Sequence, residues 1–155
     1  MPHIHGLNKT TLLDYPGRVA ATIFLGGCNF RCPFCQNSPL VLHPSTEPEI
    51  SEEEVLNFLQ KRTGILEGVC ISGGEPTLSA DLEPFVRKIH EMGYSVKLDT
   101  NGSHPEVLKN LAEKNIIQMA AVDIKACPQN YPSLTGLLHP DLDSVQQTVD
   151  FLLHG

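Results

Sequence analysis

The sequence has no block of lysines or arginines. Eleven basic residues against 18 acidic ones leave a net charge of −7 over 155 residues. This balance argues against a basic surface for nucleic acid or an anionic membrane. No apolar run approaches the length of a membrane span, and the N-terminus has neither the basic nor the apolar region of a secretory signal. The five cysteines do not make a secreted disulfide framework, because three of them crowd into one loop. A reducing cytoplasm is the expected compartment. Internal repeats, low-complexity tracts and interdomain linkers are also missing, and the polar segment 43–50 reads as a loop. What remains is a single domain, residues 1–155, 41% hydrophobic and long enough for a real core.

The cysteines that do occur are spaced for chemistry. The apolar run Val19-Ala20-Ala21-Thr22-Ile23-Phe24-Leu25 reads as a buried strand. Directly after it comes Gly26-Gly27-Cys28-Asn29-Phe30-Arg31-Cys32-Pro33-Phe34-Cys35. Three thiols in the pattern Cys-x3-Cys-x2-Cys can hold three irons of a cubane iron–sulfur cluster, each iron tetrahedral in sulfur. The fourth iron is left without a protein ligand, and an open metal position is where chemistry occurs, as at catalytic zinc. A structural zinc loop is the competing reading, with His43, Cys70 or Cys127 as fourth ligand. Cys70 lies inside a later strand and reads as a small buried hydrophobe. Cys127 lies in a loop, and neither has a second thiol at ligand spacing.

Before the cysteine loop, Gly6 to Arg18 are turn-rich, with Asp14-Tyr15-Pro16-Gly17 as a β-turn. After it, strand and helix alternate. Ser51 and Glu54 form a capping box for a helix with Val55, Leu56 and Leu59 on its apolar face and Gly64 at its end. Strand Gly68-Val69-Cys70-Ile71-Ser72 leads through Gly73-Gly74-Glu75-Pro76-Thr77 to a helix capped by Ser79. That helix buries Leu82, Phe85, Val86 and Ile89 and leaves at Gly93. Strand Ser95 to Thr100 precedes a helix with Pro105 in its first turn and Val107, Leu108 and Leu111 buried. A fourth strand, Met119 to Ile124, leads to a last helix burying Val145, Val149, Leu152 and Leu153. His3 and His5 alternate near the terminus and could bind metal weakly, His43, His90, His104, His139 and His154 show no mutual spacing, and all seven read as solvated.

Four β-α units in succession call for a parallel sheet with crossover helices. Polar residues gather at each strand's carboxyl end: the cysteine loop, Gly73-Gly74-Glu75, Asp99 with Asn101, and Asp123 with Lys125. In parallel α/β barrels those ends build the active site. A zinc scaffold has no reason to repeat the pattern at every strand, so the pattern argues for an enzyme.

Taken together, these segments and the opening Leu7-Asn8-Lys9-Thr10-Thr11-Leu12-Leu13-Asp14-Tyr15-Pro16-Gly17 resemble the radical S-adenosylmethionine (SAM) enzymes. Within them the likeness is to the activating proteins of anaerobic ribonucleoside-triphosphate reductase. The resemblance implies a 4Fe–4S cluster on Cys28, Cys32 and Cys35, with SAM chelating the open iron. It implies that Phe34 lies beside the adenine and that Gly73, Gly74, Glu75, Asp99, Asn101 and Lys125 touch SAM. By the same resemblance Asp99, Thr100 and Asp123, with the backbone of Ala121, hold a monovalent cation. The implied reaction is reductive cleavage of SAM and abstraction of hydrogen from a glycine of a partner glycyl radical enzyme, and the partner the resemblance implies is anaerobic ribonucleotide reductase. An electron donor such as flavodoxin or ferredoxin is implied too. No acid–base pair is required by this chemistry, and none is evident.

Gln36 stands where many such proteins carry histidine. The expected fold is a partial parallel (β/α) barrel. The family core has about six βα units, and four are visible here, so the chain is expected to stop after the fourth helix of a longer barrel. Two other readings stay open: a radical SAM enzyme acting on a small molecule, and a non-catalytic metal-binding module. Lys9, Asp14 and Tyr15 fit the family opening without an assignable chemical role.

Overall fold

Each of the four strands read from the sequence pairs with its neighbour in chain order. The computed structural model describes residues 1–155. Strands β1 (Ile4–Thr11), β2 (Ala20–Leu25), β3 (Gly68–Gly73), β4 (Ser95–Thr100) and β5 (Met119–Val122) lie in that order in one five-stranded sheet. From β2 to β5 all pairings are parallel. Between β2 and β3 run α1 (Ser38–Leu42) and α2 (Glu52–Gln60); α3 (Leu82–Glu91) and α4 (Pro105–Glu113) fill the next two crossovers. Beyond β5 come α5 (Tyr131–Thr135) and α6 (Leu142–His154). The result is a partial (β/α) barrel of four units, and no helix is long and apolar enough to cross a membrane.

The opening differs from the expectation. Residues 4–11 form β1, antiparallel to β2 at the sheet edge, where only turns were expected. Its polar, edge-strand composition hides it, since only Ile4 and Thr11 are buried. The turn falls one residue later than expected, with Arg18 N–H donating to Tyr15 O at 3.1 Å and Gly17 at φ +76°. Tyr15 and Asp14 then find structural roles at the foot of the sheet. Tyr15 packs against Gly68 and donates to Ser95 Oγ at 3.2 Å. Asp14 accepts from Thr22 Oγ1 at 2.5 Å.

Ser51 caps α2 by accepting from Glu54 N–H at 3.1 Å, and Pro105 opens α4 as expected. Ser79 does not cap a helix with its side chain. A single 3₁₀ turn at Pro76–Leu78 intervenes, and α3 starts only at Leu82. Leu152 and Leu153 of α6 are exposed rather than buried, while Thr148 takes a buried place and donates to Gly102 O at 2.8 Å.

Side chains alternate across a strand. Ala21, Ile23 and Leu25 of β2, Val69 and Ile71 of β3, and Val96 and Leu98 of β4 join one core with Val55, Leu59, Phe85, Val86, Ile89, Leu108 and Leu111 of the helices. The opposite face, where Thr22, Cys70 and Lys97 stand in register, belongs to the site.

Candidate active site

The ends of β2 and β3 are bound together before any ligand is considered. Gly74 N–H donates to Leu25 O and Glu75 N–H to Gly27 O, both at 2.8 Å. A Cβ on Gly74 would lie 1.9 Å from Gly27 O, and one on Gly73, at φ +120°, 2.3 Å from Leu25 O. Both positions demand glycine because backbone meets backbone there. The close approach expected for a ligand is thus made first by the cysteine loop's own root. From the other side, Arg31 N–H donates to Thr135 O at 2.7 Å, and Phe30 packs with buried Tyr131 and Val145. Helix α5 therefore clamps the loop, a role for Tyr131 and Thr135 that lone polar residues in a loop-like sequence do not announce.

Cys28, Cys32 and Cys35 are free, half-buried thiols. They line a cavity of about 530 Å³ together with Phe34, Gly73, Gly74, Asp99, Thr100, Asn101, Ala121, Asp123 and Lys125. That volume suits a small ligand. Of the residues that the resemblance assigns to cluster, SAM or cation, only Glu75 stands outside the wall. Its carboxylate is turned inward, in a residue 1% exposed. It accepts from Thr77 N–H at 3.1 Å, Thr77 Oγ1 at 2.5 Å, Thr100 Oγ1 at 2.7 Å and Asn101 N–H at 2.6 Å. A carboxylate so occupied ties the end of β3 to the end of β4, which leaves the main chain at Glu75, rather than its side chain, as the part available to a ligand.

A polar chain missed by the sequence reading continues from this knot. Thr77 Oγ1 and Ser103 Oγ lie 3.1 and 3.0 Å from His104 Nδ1, so His104 is not merely solvated. Ser103 Oγ donates to Asn101 Oδ1 at 2.6 Å and receives Asn29 Nδ2 at 2.9 Å. Asn101 Nδ2 in turn reaches Asn29 Oδ1 at 2.9 Å and Cys28 Sγ at 3.9 Å. Short polar residues after a strand were the available signal.

Burial pushes the Cys28 and Cys32 thiols above their ordinary range, and for Cys32 the Lys125 charge pulls the other way. A coordinated metal reverses such a preference, since its charge favours thiolate. No three cysteine, histidine or carboxylate side chains close round a point where one ion would sit. A cubane asks only one thiolate per iron. Three thiols on one loop can supply one thiolate to each of three irons of such a cluster.

The implied monovalent cation finds its donors engaged. Asp99 Oδ1 accepts from Lys97 Nζ, and its Oδ2 accepts from Cys70 Sγ at 3.3 Å. Thr100 Oγ1 donates to Glu75 and accepts from Gly102 N–H at 3.1 Å. Asp123, well exposed, accepts from Lys125 Nζ at 2.6 Å. Cys70 is consequently not a plain core hydrophobe. Burial first, then the Asp99 charge, push its thiol far up, so it stays a donor. Burial alone would lower the Lys97 ammonium, but the bond to Asp99 and nearby charges more than reverse this. Lys125 is raised for the same reasons, with Asp123 as its partner, and stands 6.0 Å from the Phe34 ring centroid. Cys127 is exposed and takes no part.

The model of the radical SAM superfamily matches residues 22–152. The chain belongs to the radical SAM superfamily. Its cofactors are accordingly the superfamily's 4Fe–4S cluster and SAM. A Methanocaldococcus jannaschii protein named provisionally as a glycyl-radical enzyme activating enzyme is 37% identical over 79% of this chain and 50% of its own length. A Thermococcus kodakarensis protein named, with similar reserve, as a GTP 3′,8-cyclase is 30% identical over 81% of this chain and 41% of its own. This radical SAM chain thus spans half or less of those relatives' length. Among solved structures, TYW1 with a lysine–pyruvate adduct bound superposes with a TM-score of 0.61 at 18% identity, over 86% of this chain and 51% of that one. That likeness speaks for the fold.

Proposed function

We propose that this radical SAM chain is the activating type, acting on a glycine of a partner glycyl radical enzyme, with anaerobic ribonucleotide reductase the first candidate. Cys28, Cys32 and Cys35 would hold the cluster. The main chain at Gly73 and Gly74, the Asp99 carboxylate, Asn101 and Lys125 would hold SAM, with Phe34 against its adenine. When bound, the reduced cluster and SAM supply a radical able to abstract hydrogen.

The protein's share is to bind, to orient and to keep water out. Lys125 offers a cation to a ligand carboxylate, because its partner Asp123 is exposed and loses little by returning to water. Backbone carbonyls and Asp99 can accept from a ligand ammonium. The Asn101 amide, already directed at Cys28 Sγ, supplies a hydrogen bond to a ligating sulfur, one of the contacts that tune cluster potential.

The observation that carries the reading is the convergence of the three thiols, the paired glycines and the Asp99 and Lys125 side chains on one cavity. Likeness to the activating-enzyme relative over 79% of the chain favours a protein target. Likeness to the cyclase-named relative supports the second reading, a small-molecule substrate.

The test is anaerobic reconstitution, then mixing with a candidate reductase under reducing conditions with SAM. A glycyl radical seen by electron paramagnetic resonance is expected. Iron content is expected to fall in Cys28→Ala, Cys32→Ala and Cys35→Ala, and to hold in Cys70→Ala and Cys127→Ala. Consumption of a small metabolite with no glycyl radical would replace the proposal with the second reading.

A further inference from the structure

We infer that Lys97 is a built-in counter-ion for Asp99, so that SAM binding at this site needs no monovalent cation. The inference rests on the reading that SAM lies in the cavity, and it departs from the cation site implied by family resemblance.

Lys97 is a charged residue in the middle of a central strand, 7% exposed. Such a residue persists only when paired. Its partner is fixed by strand geometry. Lys97 and Asp99 are two apart on β4 and so share the face turned away from the helices. Nζ binds Asp99 Oδ1 and lies 3.8 Å from Cys70 Sγ on the neighbouring strand. The Cys70 thiol occupies the other carboxylate oxygen. Asp99 lines the cavity, and Lys97 does not. Lys97 is therefore a positioning residue, acting on a ligand through Asp99.

Asp99 brings a negative charge to the cavity wall, and Lys97 answers it within the protein. Asp123 pairs with Lys125 and, at 76% exposed, is left to water when that lysine serves a ligand. Two carboxylates near one ligand need counter-charge if both are to stay ionised. Here the chain provides it covalently. An added cation would have to evict an ammonium from Asp99 or sit beside it, and like charges in a partly desolvated site repel strongly. Lys97 cannot withdraw to make room, because its side chain is 8% exposed and enclosed by β3 and β4. Lys125 lines the cavity, and its ion-pair partner Asp123 is exposed. The division of labour is one lysine for the protein's acid and one for the ligand's.

The experiment is equilibrium dialysis of SAM against cluster-loaded protein in sodium, potassium or tetramethylammonium chloride at constant ionic strength. Wild-type affinity is expected to agree within about twofold among the three salts, and Lys97→Met to bind about tenfold more weakly in tetramethylammonium. Potassium or sodium should restore much of that loss in Lys97→Met, and Lys97→Arg should behave as wild type. A merely structural lysine would give no such ion-specific rescue. A wild-type affinity that rises about tenfold with sodium or potassium overturns the inference, and this arm stands even if Lys97→Met fails to fold. Unweakened binding by folded Lys97→Met in tetramethylammonium overturns it as well. Absence of SAM binding by wild type in every salt removes the underlying placement of SAM, a separate and recognisable failure.

Discussion

On β4, Val96 and Leu98 reach toward the helices and are wholly buried among hydrocarbon, whereas Lys97 and Asp99 face the other way and bind each other. The same division holds on β3, where Val69 and Ile71 enter the core while Cys70 turns to Asp99. Both faces of β3 and β4 are largely withdrawn from water, yet they are held by different physics. Burial on the helix side is nondirectional and scales with area removed from water. On the site side each polar group depends on a named partner, and a buried group that loses its partner costs free energy. The helix face should therefore answer to volume, and the site face to partner chemistry.

The largest effect should come from volume. Leu98 is completely buried beneath the helices, and Leu98→Ala should destabilise the fold by about 2–5 kcal/mol through lost transfer energy and the residual cavity. Urea unfolding reads this directly, with the slope unchanged. Iron content per folded molecule should stay near wild type, because no cavity-lining group is touched. A loss below about 1 kcal/mol would mean that the helix layer collapses into the gap, and the contrast between faces would weaken.

A second variant attacks the place where the faces end. A side chain at Gly74 meets Gly27 O at the root of the cysteine loop, not empty ligand space. Gly74→Val should cost about 1–3 kcal/mol as overpacking, and it should lower iron content together with SAM affinity. Normal iron content with weakened SAM binding would show instead that the loop tolerates displacement and that the glycine serves the ligand alone. Iron analysis and SAM dialysis on the same preparation separate the two outcomes.

Much of this was legible in the sequence. The run Val69-Cys70-Ile71-Ser72 and the run Val96-Lys97-Leu98-Asp99 alternate with period two, which is the mark of a strand with two unlike faces. The clustering of Cys, Gly, Asp and Lys at strand ends gave the site's location, and all of those groups but Glu75 do line the cavity. What could not be read were pairings between distant segments. Glu75 looks the same in sequence whether it faces a ligand or accepts from Thr77, Thr100 and Asn101. Lys97 reads in the sequence as an ordinary strand residue, because its partner is known only once the strand's faces are assigned. β1 was hidden for a related reason: an edge strand needs few apolar residues, and Ile4 is recognisable as core only through its pairing with Leu25 and bridge to Ile50.

The smallest effect belongs to the far side of the helix layer, where neither face reaches. Glu83 on α3 accepts from Lys114 and Asn110 next to and on α4, and from Arg87 one turn along its own helix. Those three bonds hold its carboxyl down at about 2. A depressed folded-state value means the contribution is present above the ordinary carboxylate range and is lost as pH falls from there through about 2. The group is solvent-accessible, so screening keeps the contribution modest. Glu83→Gln should lower the thermal midpoint slightly at neutral pH and at low salt, with the gap to wild type closing as the buffer is acidified below the ordinary carboxylate range. Cluster content and SAM affinity at neutral pH should not move. Midpoints measured by circular dichroism across that acid range check the first point. A gap that persists unchanged at the acid end would mean that the Asn110 hydrogen bond, rather than charge, ties α3 to α4.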